Sequence, residues 1–360
     1  MREPISRRTQ SGINAALLRM PALRCQSPLA KAVSLLGVLS LLNLFAAPVM
    51  AANATDAPVY SLVVPKAANS LLLDVARAGS RLVAVGDRGH VLYSDDNGAT
   101  WTQAKVPTRQ MLTSVFFVDD KKGWVTGHDS LILATADGGL TWTEQFSDLE
   151  REAPLLDIWF KNAEQGFAVG AYGVLLGTTD GGAQWDDVSD RLDNEDQRHL
   201  NGITEIKDSG LFAVGEMGSM YRSSDWGQTW ETLAGPYEGS LFGVSGTTES
   251  GSVLVYGLRG HLFRSSDFGK TWQQVDLKSN AGVLDFGLAN GALLKDGSVV
   301  VVGHGGSVLK STDKGHSFSV LNRADRLSLS GVSADDKGDL ILVGQGGVHV
   351  ATSTGAAPQQ

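Results

Sequence analysis

The chain has 360 residues with 43 glycines, eight tryptophans and a single cysteine, and its 30 basic and 39 acidic side chains give a net charge of −9. That balance argues against nucleic acid, whose phosphates need a basic face. One cysteine excludes an internal disulfide and any metal site built from thiolates.

The first fifty residues read as an export signal. Arg7, Arg8, Arg19, Arg24 and Lys31 precede an apolar run over residues 32–47, and small residues follow. Cleavage is expected at Val49-Met50-Ala51 or at Ala52-Asn53-Ala54, with an uncleaved anchor as the alternative. The Arg7-Arg8 pair lies far upstream of the apolar run, which favours a general secretory route over a twin-arginine one. Cys25 lies inside this segment and ahead of the apolar run, the wrong place for lipid attachment. Removing residues 1–51 takes away six basic residues and one acid, leaving 24 basic and 38 acidic side chains and a net charge of −14. The expected organisation is a signal peptide over 1–51, a short linker over 52–58, one domain over 59–353 and a polar tail over 354–360. The mature protein is expected to be a monomer in a periplasm or an equivalent lumen.

From residue 71 onward one pattern repeats. Its first copy has four short apolar or β-branched runs, at residues 71–75, 81–86, 90–94 and 101–106, separated by glycine and Asx turns. This is the signature of a four-stranded antiparallel meander. Between the third and fourth runs stands an Asp box, Ser/Thr-x-Asp-x-Gly-x-Thr-Trp, with central carboxylates at Asp96, Asp137, Asp180, Asp225, Asp267 and Asp313. These are spaced by 41, 43, 45, 42 and 46 residues, the period of a β-propeller. A Gly-x-x-Gly turn between second and third runs recurs at Gly86, Gly170, Gly215, Gly257, Gly303 and Gly344, with Gly127/Ser130 as a variant. Seven such turns predict an all-β, seven-bladed propeller. The last repeat lacks a box and a fourth strand, while residues 60–65 match the fourth-strand pattern of residues 101–107. The N-terminal strand is therefore expected to complete the last blade and close the ring.

The boxes read as structural, because the carboxylate accepts N–H bonds across its own turn and the tryptophan packs into the blade. Five of the eight tryptophans end a box. Partner binding is expected on the opposite face, where the links into the innermost strands carry Arg109, Arg151, Arg198 and Arg326. Clustered guanidinium groups suit bidentate capture of carboxylates; pairing of each with a nearby acid is the plainer reading. The turns add Arg88, Arg259, Tyr172 and His304 to the same face. Asp74, Asp157 and Asp285 are expected at equivalent inner-strand positions, either as a carboxylate ring or bonded to neighbouring backbone. No catalytic residue, metal site or cofactor is assigned.

The repeat, the seven blades and the export signal together resemble the photosystem II stability and assembly factor family, over nearly all of the mature chain. The resemblance implies a lumenal or periplasmic accessory protein without catalytic activity, binding and stabilising a membrane protein during assembly of its complex. In a photosynthetic host the client it implies is a photosystem II reaction-centre protein, held by an arginine-rich patch. The rival classes are an Asp-box glycoside hydrolase of the sialidase kind and a carbohydrate-binding propeller. The Arg-Ile-Pro sequence usual before a sialidase's first blade is absent from the chain.

Overall fold

The computed structural model describes residues 59–279 and 282–358. The expected signal, its cleavage site and the linker lie outside the described residues. Among the described residues seven antiparallel blade sheets follow one another, each with its strands hydrogen-bonded in chain order, and one further two-stranded pair lies in a link. Blade 1 comprises Leu72–Ala78, Arg81–Gly86, Val91–Ser94 and Thr102–Gln103. The innermost strands of the other blades are Leu112–Phe117, Leu155–Phe160, Leu200–Ile206, Leu241–Gly246, Leu288–Leu293 and Leu329–Ala334. Each packs on the next and the last on the first, so the ring is closed. The second strands are buried along their length, as in Val299–Gly303, because both of their faces meet a neighbouring blade.

The boxes form as their chemistry requires. In blade 1 the Asp96 carboxylate accepts the Thr100 N–H (2.8 Å) and the hydroxyls of Ser94 (2.8 Å) and Thr100 (2.6 Å). These bonds hold the carboxyl at about 2, below the usual carboxylate range. Asp225, Asp267 and Asp313 repeat the set and are likewise held at about 2. In the box around Asp180 the threonine is replaced by Gln184, whose backbone N–H alone makes the cross-turn bond (3.0 Å).

The closing strand is not formed as expected. The last sheet holds three strands, Leu329–Ala334, Leu340–Gly344 and Gly347–Ala351, and residues 60–65 belong to no strand. They run instead along the outside of blade 1, in the reverse direction to its outer strand. Ser61 N–H donates to Val106 O (2.9 Å), Gln103 accepts from Val64 N–H (3.1 Å) and donates to Leu62 O (2.9 Å), and Arg109 Nε donates to Tyr60 O (2.9 Å). Two side chains of blade 1 thus satisfy peptide groups that a β-ladder would otherwise have paired. Val64 and Ala67 pack with Ile341 and Val343 in the seam between blades 7 and 1. The seam is sealed by apolar packing, without a shared strand.

Candidate functional site

Every inner strand carries a register irregularity at the same place, between Leu72 and Asp74 in blade 1 and between Leu329 and Gly331 in blade 7. Such a bulge re-aims the residue that follows it. The ring positions are Asp74, Ser114, Asp157, Gly202, Gly243, Asn290 and Gly331, opposite Val85, Thr126, Val169, Val214, Tyr256, Val302 and Val343. Asp285 is not among them. It lies in the link ahead of Leu288, because that link contains an extra strand pair, Lys278–Ser279 with Gly282–Val283, which shifts the apparent register.

Asp74 and Asp157 form the neck of the central channel. Toward the Asp-box face the channel opens into a cavity of about 700 Å³ walled by Val75, Val115, Phe116, Ile158, Trp159 and Ile203. Toward the opposite face a smaller space of about 140 Å³ is lined by Thr113, Leu156, Asn201 and Phe242. Asp74 accepts from the N–H groups of Val75 (2.8 Å) and Val115 (2.9 Å) and from Asn290 Nδ2 (3.2 Å). Asp157 accepts from Ile158 (2.8 Å) and Ile203 (2.9 Å). Ser114 Oγ lies between the two carboxyls, 3.2 Å from Asp74 and 2.9 Å from Asp157. Both side chains touch the channel lumen yet sit deep in the fold, and desolvation raises both carboxyls, Asp157 to about 7 with the Asp74 charge adding to the effect. Ser114 has one proton to donate, so one proton held by the carboxyl pair completes the chain Asp157–Ser114–Asp74.

The turns between second and third strands build the other face. Their central residues adopt the left-handed conformation: Arg88 (φ 56°), Tyr172 (57°), Met217 (53°) and Arg259 (57°), with Gly305 in blade 6. Each is followed by a glycine that lies against an incoming link; a Cβ at Gly89 or Gly218 would collide with the carbonyl of Thr108 or Tyr237. That close approach joins turns and links into one continuous surface.

All four link arginines lie on this surface, in different states. Arg151 is held between Asp148 (3.2 Å) and Asp187 (3.0 Å), and Arg198 by Asp196 (2.7 Å). Arg109 is exposed and donates to the Tyr60 carbonyl. Arg326 and Arg259 are exposed, and no side-chain partner is found for either among the described residues. Arg88 is 79% exposed beside Asp87 (3.3 Å). Tyr172 is exposed and stands edge-on to His199 at 5.1 Å, and His304 is exposed at its turn. The structure adds large apolar side chains to the same face: Met217 is 62% exposed, with Leu258 and Phe286 also exposed. Between blades 3 and 5 the face is acidic, where Asp193, Glu195, Asp196 and Glu238 border a groove of about 400 Å³ beside Met217. Among the described residues, positive charge without an acidic partner therefore lies with Arg109, Arg259 and Arg326, and Arg88 adds a largely exposed guanidinium beside Asp87.

The family model for the photosynthesis system II assembly factor YCF48 matches residues 96–232 and 145–275, together half of the chain. The photosystem II assembly protein Ycf48 of Synechococcus sp. (strain JA-2-3B'a(2-13)) is 35% identical over 133 residues, which cover 36% of this chain and 39% of that protein. The chloroplastic photosystem II stability/assembly factor HCF136 of Cyanidioschyzon merolae (strain NIES-3377 / 10D) is 43% identical over 61 residues, 16% of this chain and 14% of that protein. The matched segments thus span well under two thirds of these relatives. In three dimensions the chain is similar to a solved structure of YCF48 bound to D1 peptide, with a TM-score of 0.63 and 20% identity over 82% of this chain and 94% of the other. That likeness is one of fold.

Proposed function

Because the chain belongs to the photosystem II assembly factor YCF48 family, we propose that it is an exported accessory protein without catalytic activity, binding and stabilising a membrane protein during assembly of its complex. In a photosynthetic host the client is a photosystem II reaction-centre protein. This accords with the related YCF48 structure, which holds a D1 peptide. The observation that carries the reading is the turn face: bulky residues held in left-handed turns, with Arg88, Tyr172, Met217 and Arg259 all exposed. The binding residues are Arg88, Arg109, Arg259 and Arg326 with Tyr172 and His304; Arg151 and Arg198 shape the links through their local acids.

The glycosidase reading has less support. Asp157 is bonded to two backbone N–H groups and to Ser114, and it stands with Asp74 in the narrow neck. The Asp-box carboxylates are occupied by their own hairpins.

The test is affinity purification of the tagged protein from solubilised membranes, comparing wild type with Arg88, Arg109, Arg259 and Arg326 all changed to Glu. The expected result is recovery of a reaction-centre protein by the wild type and at least about tenfold less by the variant, as for loss of charge pairs at an interface. Equal recovery by both would overturn the assignment of these residues, and recovery by neither would overturn the client.

A further inference from the structure

At or next to the start of the third strand stands an equivalent residue, Val91, Leu175, Met220 and Leu262 in blades 1, 3, 4 and 5 and Val348 in blade 7, which face Val85, Val169, Val214, Tyr256 and Val343. In four of these blades the carbonyl of that residue accepts the N–H of the residue that directly follows the fourth strand. The pairs are Ala104 to Val91 (2.8 Å), Val188 to Leu175 (2.9 Å), Leu233 to Met220 (2.9 Å) and Val275 to Leu262 (3.0 Å). Among the described residues no backbone N–H reaches the carbonyl of Val348. The blade 7 hairpin closes at the pair Gly344↔Gly347, so Gly347, His349 and Ala351 bond inward and the peptide groups of Val348 and Val350 face outward. Val350 is 38% exposed. Blade 7 therefore offers one strand position whose bonding pattern the rest of the molecule defines.

The same comparison defines what fits there. The four donors are Ala104, Val188, Leu233 and Val275, each three residues after a box tryptophan at 101, 185, 230 or 272. A strand in this position runs antiparallel to Gly347–Ala351, so residues following the donor reach the turn face. There the 3-10 turn Ala67–Asn69 abuts Gly347, and the Gln345–Gly346 turn meets Leu327. The neighbouring Lys66 and Arg326 are both exposed, with no side-chain partner among the described residues. Two cations at that end favour an acid just after the donor.

We infer that the open edge of blade 7 is a strand-addition site for an extended segment of a partner protein with the pattern aromatic-x-x-aliphatic-acidic. Main-chain bonds supply the binding and alternate side chains the selectivity. The inference rests on the reading of the molecule as a partner-binding protein and specifies how one segment is held.

The probe is a fluorescein-labelled peptide copying residues 272–277, Trp-Gln-Gln-Val-Asp-Leu, added to the full mature protein. Saturable binding is expected by anisotropy, with slowed amide exchange confined to residues 347–351. Methylating the peptide's valine nitrogen, or Val350→Pro in the protein, is expected to weaken binding by about tenfold or more, since each removes an edge N–H without touching the inward ladder. The methylated peptide keeps the test decisive even where the proline variant folds poorly. Absence of binding, or equal binding of the methylated peptide, would overturn the inference. So would free protein whose residues 347–351 already exchange as slowly as Val91–Ser94, which would mean that residues 60–64 fill the edge, or a dimer that protects them. Val350→Pro that still recovers the membrane client at the wild-type level would overturn strand addition alone and leave the proposed function standing.

Discussion

Trp124→Ala is expected to lower the unfolding free energy by about 3–5 kcal/mol, the range for deleting a large buried aromatic side chain. Trp124 is fully buried in the second strand of blade 2. Its ring stacks on Phe160 of blade 3, with centroids 3.4 Å apart, and Phe160 meets the box residue Trp185 edge-on at 5.8 Å. Trp124 Nε1 also donates to the carbonyl of Gly181 (3.3 Å). One side chain thereby joins two blades and an Asp box. A blade touches only its two neighbours, so the gap cannot be filled from elsewhere, and a domain stable by about 5–15 kcal/mol loses a large part of that margin. Trp124→Phe keeps an aromatic surface and loses the Gly181 bond, and is expected to restore more than half of the loss. Urea unfolding checks both, as a lower midpoint at unchanged slope. A loss below about 1 kcal/mol for the alanine variant would show that blades 2 and 3 are not coupled through this ring.

The second large effect is on pH. Burial pushes the Asp157 carboxyl up to about 7, and Asp74 shares the neck with its own carboxyl raised. The groups bonded to the pair are Ser114, Asn290 and the backbone of Val75, Val115, Ile158 and Ile203, and the buried Tyr256 hydroxyl lies close enough to feel both charges; none of these is cationic. Between pH 3.8 and about 7 the folded state therefore holds a proton that the unfolded chain has released. Stability is fully present below that window, falls as pH rises through it, and stays low above it, by an amount on the order of a few kcal/mol. The box aspartates, held near 2, act in the opposite sense and are lost as pH falls below 3.8. Maximal stability is expected at about pH 4–5, where both contributions coexist. Asp157→Asn cannot ionise. Its unfolding temperature is expected at or below that of wild type at pH 5 and above it at pH 8, by thermal melts in matched buffers. Parallel curves for the two proteins would contradict the shared proton.

The parts of this fold that sequence made legible are those fixed by local turn chemistry. A left-handed turn before Gly89 and a carboxylate bonding back to Thr100 are decided within a few residues, so their repetition counted the blades correctly. Long-range pairing was not legible. Residues 60–65 carry an acceptable fourth-strand pattern, but their position follows from Gln103 and Arg109 reaching their peptide groups from another element. The Asp285 assignment failed because an added strand pair in one link breaks the period. The arginine links were found in sequence, whereas the Arg151–Asp187 ion pair spans 36 residues and depends on how two links meet. Ser114, which joins the two carboxyls, carried no signal of its own: one residue in seven at a ring position has meaning only once its neighbours are known.

In the function proposed, the turn face, and not the Asp-box face with its larger cavity, meets the membrane client. Its most direct test is photo-crosslinking in the cell from a benzophenone side chain placed at Met217 or Tyr172 on the turn face, or at Lys270 on an Asp box. Crosslinks to a reaction-centre protein from Met217 and Tyr172, and none from Lys270, are the expected result. The same client captured from Lys270 and from neither turn position would place docking on the Asp-box face and overturn the proposal.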